Sequence, residues 1–118
     1  MHDFKKLEVW KKSRSLVTEI FPLLNSFPNY ELFGLVAQMK RAAVSVPSNI
    51  AEGCGRGTNK QLAYHLGIAL GSAYELETQL LIAKDLGYSK PQVTQDLINK
   101  TQEVSRMLVG LSKSLQQS

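Results

Sequence analysis

The sequence predicts an all-α protein with the fold of an up-down-up-down antiparallel four-helix bundle. Apolar residues recur at alternating intervals of three and four in four long segments, which is typical of helices that share one core. No segment shows the alternation of apolar and polar residues that a half-buried strand requires. With 118 residues and mostly short connections we expect one domain, 1–118, with flexible ends at 1–6 and 116–118.

The first helix is indicated by an apolar stripe that begins at Val9. Pro22 lies near the end of this stripe and is expected to bend or terminate the last turn, because its ring cannot continue the hydrogen-bond ladder. The turn that follows is formed by Phe27–Pro28–Asn29. The stripe consists of Val9, Leu16, Ile20 and Leu24.

The second helix is predicted to begin near Glu31 and to contain a proline in its interior. Pro47 should kink the helix there, because its ring displaces the carbonyl group of Ala43 and removes one hydrogen bond. The predicted core positions are Leu32, Val36, Met39, Ala43, Val46 and Ile50.

The third helix has the clearest boundaries. Thr58 and Gln61 match the capping-box pattern at its start, and Gly87 is a natural C-terminal stop. Its core stripe is Leu62, Leu66, Ala69, Ala73, Leu76, Leu80 and Ala83.

The fourth helix is predicted to open at the second capping-box pattern, 89–92. Its core stripe is Val93, Leu97, Thr101, Val104, Leu108, Leu111 and Leu115.

The third helix is apolar over more than the face that one bundle can bury. A helix that is apolar nearly all round is buried nearly all round, so we expect this helix to lie in a homo-oligomer interface. The glycines of this surface have an alternative explanation, which is close helix packing inside the monomer. The predicted interface consists of Tyr64, Gly67, Ile68, Gly71 and Tyr74.

The net charge of +4 originates in the first half of the chain, where nine Lys/Arg face five Asp/Glu in 1–60. A basic surface attracts polyanions, of which nucleic acid is the commonest in a cytoplasm. A solvated face that only keeps the protein soluble is the alternative. The candidate nucleic-acid contacts are Lys11, Lys12, Arg14, Lys40, Arg41, Arg56 and Lys60.

The residue types needed for a metal site or for catalysis are scarce. The only histidines are His2 and His65, and neither has a Glu at the spacing that di-iron bundles use, so we expect no metal. Cys54 lies between two glycines beside Arg56, which can lower the pKa of a thiol, but an inert cysteine in a turn is favoured. We therefore predict no enzyme activity, no cofactor and no small-molecule substrate.

The glycine-rich segment 53–57 follows a helix and not a strand, which excludes a nucleotide-binding fold of the P-loop or Rossmann type. Free backbone N–H groups at the start of the third helix form a weak anion site in one interpretation, and ordinary helix capping explains the glycines in the other. Glu52 and Arg56 are four residues apart and are expected to form an ion pair that braces this turn. The residues assigned to the structural turn are Pro47, Asn49, Glu52 and Gly53.

Four segments match a known family in order and spacing: 4–10, 30–35, 40–56 and 68–78. The chain resembles the bacterial four-helix bundle proteins encoded in intervening sequences of large-subunit ribosomal RNA genes. It is also similar to the accessory variability protein of diversity-generating retroelements. The resemblance implies a homopentamer of four-helix protomers, a basic surface suited to RNA or DNA, and no catalytic activity.

Two functions are consistent with these observations. The first is a basic, oligomeric, non-enzymatic protein that binds nucleic acid through phosphate contacts. The second is a structural or adaptor oligomer whose partner is another protein and whose charge only solubilises it. No apolar run is long enough to span a membrane, and a single cysteine fits a reducing compartment, so we expect a cytoplasmic location.

Overall fold

Four long α-helices make up most of the protein in a computed structural model that describes residues 2–116. Helices account for 85% of the described residues, which contain no strand, and this confirms the predicted fold class. One-turn 3-10 helices precede α1, at Phe4–Lys6, and α2, at Asn29–Glu31. The four α-helices are α1 Glu8–Leu24, α2 Leu35–Gly55, α3 Asn59–Leu86 and α4 Pro91–Gln116.

Side-chain contacts show that neighbouring helices run antiparallel. Between α1 and α4, Lys12 Nζ lies 3.0 Å from Glu103 Oε1, and Glu19 Oε1 lies 2.6 Å from Lys100 Nζ. Residue numbers therefore increase along α1 in the direction in which they decrease along α4. Each helix packs on the two beside it, in the ring order α1, α2, α3, α4, within an envelope of 46 × 24 × 19 Å.

The core follows the predicted stripes closely, with two corrections. All seven stripe positions of α3 are buried. On α4, Val93 is 45% exposed and Thr94 is buried instead. Thr94 Oγ1 donates a hydrogen bond to the Lys90 carbonyl oxygen at 3.3 Å, so its burial leaves no polar atom unsatisfied. The second correction is Leu32, which lies outside α2 and is half exposed.

The predicted start of the second helix near Glu31 is wrong, because α2 begins at Leu35. The backbone of Gly34 has φ −106° and ψ −107°, which is not helical and separates the 3-10 turn from the helix. Glu31 belongs to that turn, and its Oε2 accepts a hydrogen bond of 2.7 Å from the hydroxyl group of Tyr88. This contact ties the α1–α2 connection to the α3–α4 connection.

The α2–α3 turn is shorter than the sequence indicates. α2 remains helical through Pro47 and ends at Gly55, so Gly53 lies inside the helix and not in a turn; the kink at Pro47 stays a prediction. Gly57 has φ +90°, a conformation that favours glycine. Thr58 then caps α3 as predicted, because its side chain accepts a hydrogen bond from the Gln61 N–H at 3.2 Å.

Both ends of the chain were expected to be flexible. Within 1–6, Asp3 caps the 3-10 turn and Phe4 packs on Trp10 with ring centroids 5.1 Å apart. Gln116 is the last residue of α4. Met1, Gln117 and Ser118 lie outside the described residues.

Candidate nucleic-acid interface

α2 and α3 approach each other closely at Gly53. A Cβ atom built on this glycine would lie 2.8 Å from His65 Cβ and 3.0 Å from Leu62 Cδ1, which no ordinary contact allows. Only a residue without a side chain permits this spacing. Gly53 therefore fixes where the two helices meet and sets the position of His65 beside α2.

A series of hydrogen bonds joins α2 to α3 next to this contact. Ser45 Oγ lies 2.8 Å from Ser72 Oγ, and Asn49 Nδ2 donates to both the carbonyl oxygen and the hydroxyl group of Ser45 at 2.9 and 3.0 Å. Asn49 Oδ1 lies 3.2 Å from Nδ1 of His65. Because the Asn49 oxygen can only accept, Nδ1 of His65 carries the hydrogen of this bond. Asn49, which the sequence assigns to the structural turn, thus orients His65.

An open groove of about 880 Å³ lies along the outer side of the α2–α3 hairpin. His65 is 8% exposed and lies at its floor, whereas Tyr64 is 68% exposed at its rim. Arg56 and Lys60 also line the groove. Arg56 Nη2 lies 2.7 Å from Glu52 Oε1, which confirms the predicted ion pair.

The seven predicted basic contacts do not form one surface. Lys11 pairs with Glu8 at 3.3 Å, and Lys12 pairs with Glu103 at 3.0 Å. Arg14 lies over the ring of Trp10, with its guanidinium carbon 5.4 Å from the centroid. Each of these three cations of α1 is therefore already in contact with a carboxylate or an aromatic ring.

Lys40 and Arg41 lie far from Arg56 and Lys60. Sixteen residues of helix separate Lys40 from Arg56, which corresponds to about 24 Å along α2. The ammonium group of Lys40 lies 5.4 Å from the ring centroid of Phe21, and Arg41 is exposed. The structure thus brings Arg56 and Lys60 together and places Lys40 and Arg41 apart from them.

The surplus of positive charge belongs to one end of the bundle. We define the basic end as 2–15, 46–71 and 102–116, which the antiparallel packing places together. In the described residues it contains nine Lys/Arg and four Asp/Glu, whereas the opposite end, 16–45 and 72–101, contains five and six. Four of the nine cations form no ion pair among the described residues and touch no aromatic ring: Lys6, Lys60, Arg106 and Lys113.

Three of these four cations, Lys6, Arg106 and Lys113, are not among the contacts predicted from the sequence. The charge surplus was assigned to the first half of the chain, in which Arg106 and Lys113 do not lie. The predicted topology could have identified Arg106 and Lys113, because in an up-down-up-down bundle the end of α4 lies beside the start of α1.

The predicted oligomer surface of α3 is exposed in the described chain. Tyr74 is 52% exposed and Ile68 38%, and a Cβ atom on Gly67 or Gly71 would meet nothing within 4 Å. Close packing inside the monomer therefore does not explain these two glycines. The surface continues towards the other end of α3 through Leu81 and Ile82, each 43% exposed.

The remaining candidates carry no reactive geometry. Cys54 is buried in α2, and burial, followed by the nearby charge of Asp3, raises the pKa of its thiol. A raised pKa disfavours the thiolate that nucleophilic catalysis needs. The described residues contain no group of three or more His, Cys, Asp or Glu side chains placed to hold a metal ion. No helix among them combines the length and apolar character needed to cross a bilayer.

Comparison with known proteins agrees with this architecture. A family model described as 23S rRNA-intervening sequence protein matches residues 5–110. A solved structure from Bacteroides thetaiotaomicron, described as a protein with unknown function from the S23 ribosomal protein family, superposes with a TM-score of 0.81. It has 24% sequence identity, with 89% of this chain and 95% of that chain covered, and so it supports the fold alone. No curated protein shows significant similarity to the chain.

Proposed function

The chain belongs to the 23S rRNA-intervening sequence protein family, and on this basis we propose that it is a non-enzymatic, oligomeric protein that binds RNA or DNA. The observation that carries the proposal is the basic end, with its surplus of five positive charges. Lys and Arg side chains that contact phosphates release the counterions of the nucleic acid, and this release drives association. A cytoplasmic location accompanies the proposal, since a single buried cysteine fits a reducing compartment.

Two matched pairs of substitutions test this function. In one variant Arg56 and Lys60 at the basic end are replaced by Gln, and in the other Lys40 and Arg41 are replaced by Gln. Both variants lose one Arg and one Lys, so their net charges are equal. Affinity for a short duplex DNA and a short hairpin RNA is measured by fluorescence anisotropy at low salt. The basic-end pair should weaken binding more than the Lys40 pair, and equal or absent effects would contradict the proposal.

Self-association is the second part of the proposal, with five subunits as the number that the family resemblance implies. A ring would repeat the basic end on every subunit and convert weak phosphate contacts into avid ones. The exposed face of α3 supports it, because Ile68, Tyr74, Leu81 and Ile82 leave apolar surface in water. Sedimentation of Leu81→Glu tests it, with Val93→Glu on α4 as control. Both residues are exposed and apolar, and only Leu81→Glu should dissociate the oligomer. A parent protein that sediments as a monomer at micromolar concentration would refute this part.

An adaptor function remains the second candidate because of one loop at the opposite end of the bundle. Phe33 is 92% exposed and Tyr30 is 77% exposed, beside the half-exposed Leu32. The Tyr88–Glu31 hydrogen bond holds this loop in place, so the aromatic groups are displayed on a fixed backbone. A protein that co-purifies at high salt after nuclease treatment, and is lost from Phe33→Ser, would favour this function.

A further inference from the structure

The α2–α3 groove has the parts of a site for one nucleotide, and we propose that it binds a single unpaired nucleotide of a nucleic-acid strand, with the base stacked on Tyr64 and the phosphate on Lys60 and Arg56. The inference rests on the phosphate-binding part of the proposed function, because it names which part of a nucleic acid this region binds. It assigns Tyr64, which the sequence predicts in the oligomer interface, to the nucleic acid instead. The volume of the α2–α3 groove, about 880 Å³, lies within the range of about 300–1,000 Å³ that is typical of ligand sites.

Tyr64 is placed as a stacking platform. Its ring is mostly exposed, and the ring of His65 meets it edge-on, with an interplanar angle of 85° and centroids 5.3 Å apart. Because Tyr64 is 68% exposed despite this contact, surface of the residue remains open to a base. Proteins that bind single strands stack bases on such aromatic side chains, and the stacking tolerates any base.

His65 gives the floor of the groove an unused acceptor. Its Nδ1 is bonded to Asn49, and Asn49 is in turn oriented by its two bonds to Ser45. In the neutral ring Nε2 is therefore an acceptor, and no residue of the described chain donates to it. The residue is 8% exposed and lines the groove. A base amino group or a ribose hydroxyl group bound in the groove could donate to this nitrogen.

The cations of the groove are suited to one phosphate and not to a long anionic track. Lys60 is exposed and forms no ion pair among the described residues. Arg56 uses one nitrogen for Glu52 and keeps other N–H donors for a phosphate. With Glu52 counted, the groove has one net positive charge, so stacking must contribute much of the selectivity for unpaired nucleotides.

A second groove, between α3 and α4, lacks the paired cations of the α2–α3 groove. It contains the exposed Tyr74 and Arg106, but also Glu77, whose Oε2 accepts a hydrogen bond from Gln102 at 3.0 Å. Glu77 and Arg106 are the only ionic groups among the described lining residues, and their charges cancel. The matched control is Tyr30 at the opposite end of the bundle, because it is also a mostly exposed tyrosine and lines neither groove.

The test compares Tyr64→Leu, Tyr64→Phe and Tyr30→Leu in the full chain. Anisotropy titrations use a fluorescein-labelled oligoadenylate, as RNA and as DNA, and a labelled duplex DNA, with the sedimentation of every variant measured. Tyr64→Leu should weaken binding of both single strands by about 5- to 100-fold and leave duplex binding unchanged. Tyr64→Phe and Tyr30→Leu should bind all probes like the parent.

The outcomes separate this inference from the proposed function. If no probe binds the parent at low salt, the proposed function fails and the inference fails with it. If Tyr64→Leu binds single strands like the parent, or if Tyr30→Leu loses as much affinity, the inference fails while phosphate binding stands. A loss that accompanies dissociation of the oligomer also counts against stacking, because lost avidity then explains it.

Discussion

Replacing Gly53 by Ala tests whether the close contact of α2 and α3 positions the groove. The added Cβ would lie 2.8 Å from His65 Cβ and 3.3 Å from the Leu62 Cα, atoms that are fixed to the α3 backbone and cannot rotate away. One helix must therefore shift, and overpacking of this kind costs about 1–3 kcal/mol. Because Ala is better than Gly inside a helix by about 1 kcal/mol, the net loss of unfolding free energy should be about 0–2 kcal/mol.

Gly110→Ala is the matched control for this substitution. A Cβ at Gly110, in α4, would meet nothing within 4 Å, so this variant keeps the helix-propensity gain without the clash. Urea unfolding followed by circular dichroism at one protein concentration gives both values. Gly110→Ala should be more stable than the parent by about 0.5–1 kcal/mol. A Gly53→Ala protein as stable as Gly110→Ala would refute the close-contact argument.

Three further predictions concern the core and two titrating groups. Leu66→Ala should lower the unfolding free energy by about 2–5 kcal/mol in the same urea assay, since this side chain is 1% exposed at the centre of the bundle. Cys54 should react slowly with a thiol reagent near pH 8 in the folded protein and quickly in urea, because burial raises its pKa; fast reaction of the folded form would contradict this. Hydrogen bonds with Tyr30 and then Glu31 raise the pKa of Tyr88 above its ordinary value near 10. The stabilisation from Tyr88 should therefore be complete below pH 10 and be lost as the pH rises further, and in an ultraviolet titration Glu31→Gln should let this tyrosine ionise at lower pH.

The fold was predictable because its signals are local and repeated. The stripe from Leu62 to Ala83 keeps one face of α3 apolar over six turns, and only burial against other helices explains such a pattern. The Thr58 cap and the Gly87 stop are single-residue signals with a definite backbone geometry, and the structure confirms both. Errors arose where tertiary contacts decide, as at Glu31, whose carboxylate bonds to Tyr88 from a distant connection and not to its own helix.

The candidate site was only half predictable. Arg56, Lys60 and Glu52 are near one another in sequence, so their proximity could be inferred from the turn. The grouping of Lys40 with Arg56 was an inference from sequence order, and α2 separates the two by about 24 Å. The role of Gly53 as a helix contact depends on which residues of α3 lie opposite it. That register is a property of the packed pair and not of either segment.

The central claim is that the basic end binds phosphate groups, and the salt dependence of binding tests it most directly. Affinity for a short duplex DNA is measured over a range of salt concentrations for the parent and for the variant with Gln at positions 56 and 60. The account predicts that the logarithm of the affinity falls linearly with the logarithm of the salt concentration. It further predicts a slope smaller by about 1 for each phosphate contact that the variant loses. An affinity that does not change with salt, or a slope identical in parent and variant, would contradict it.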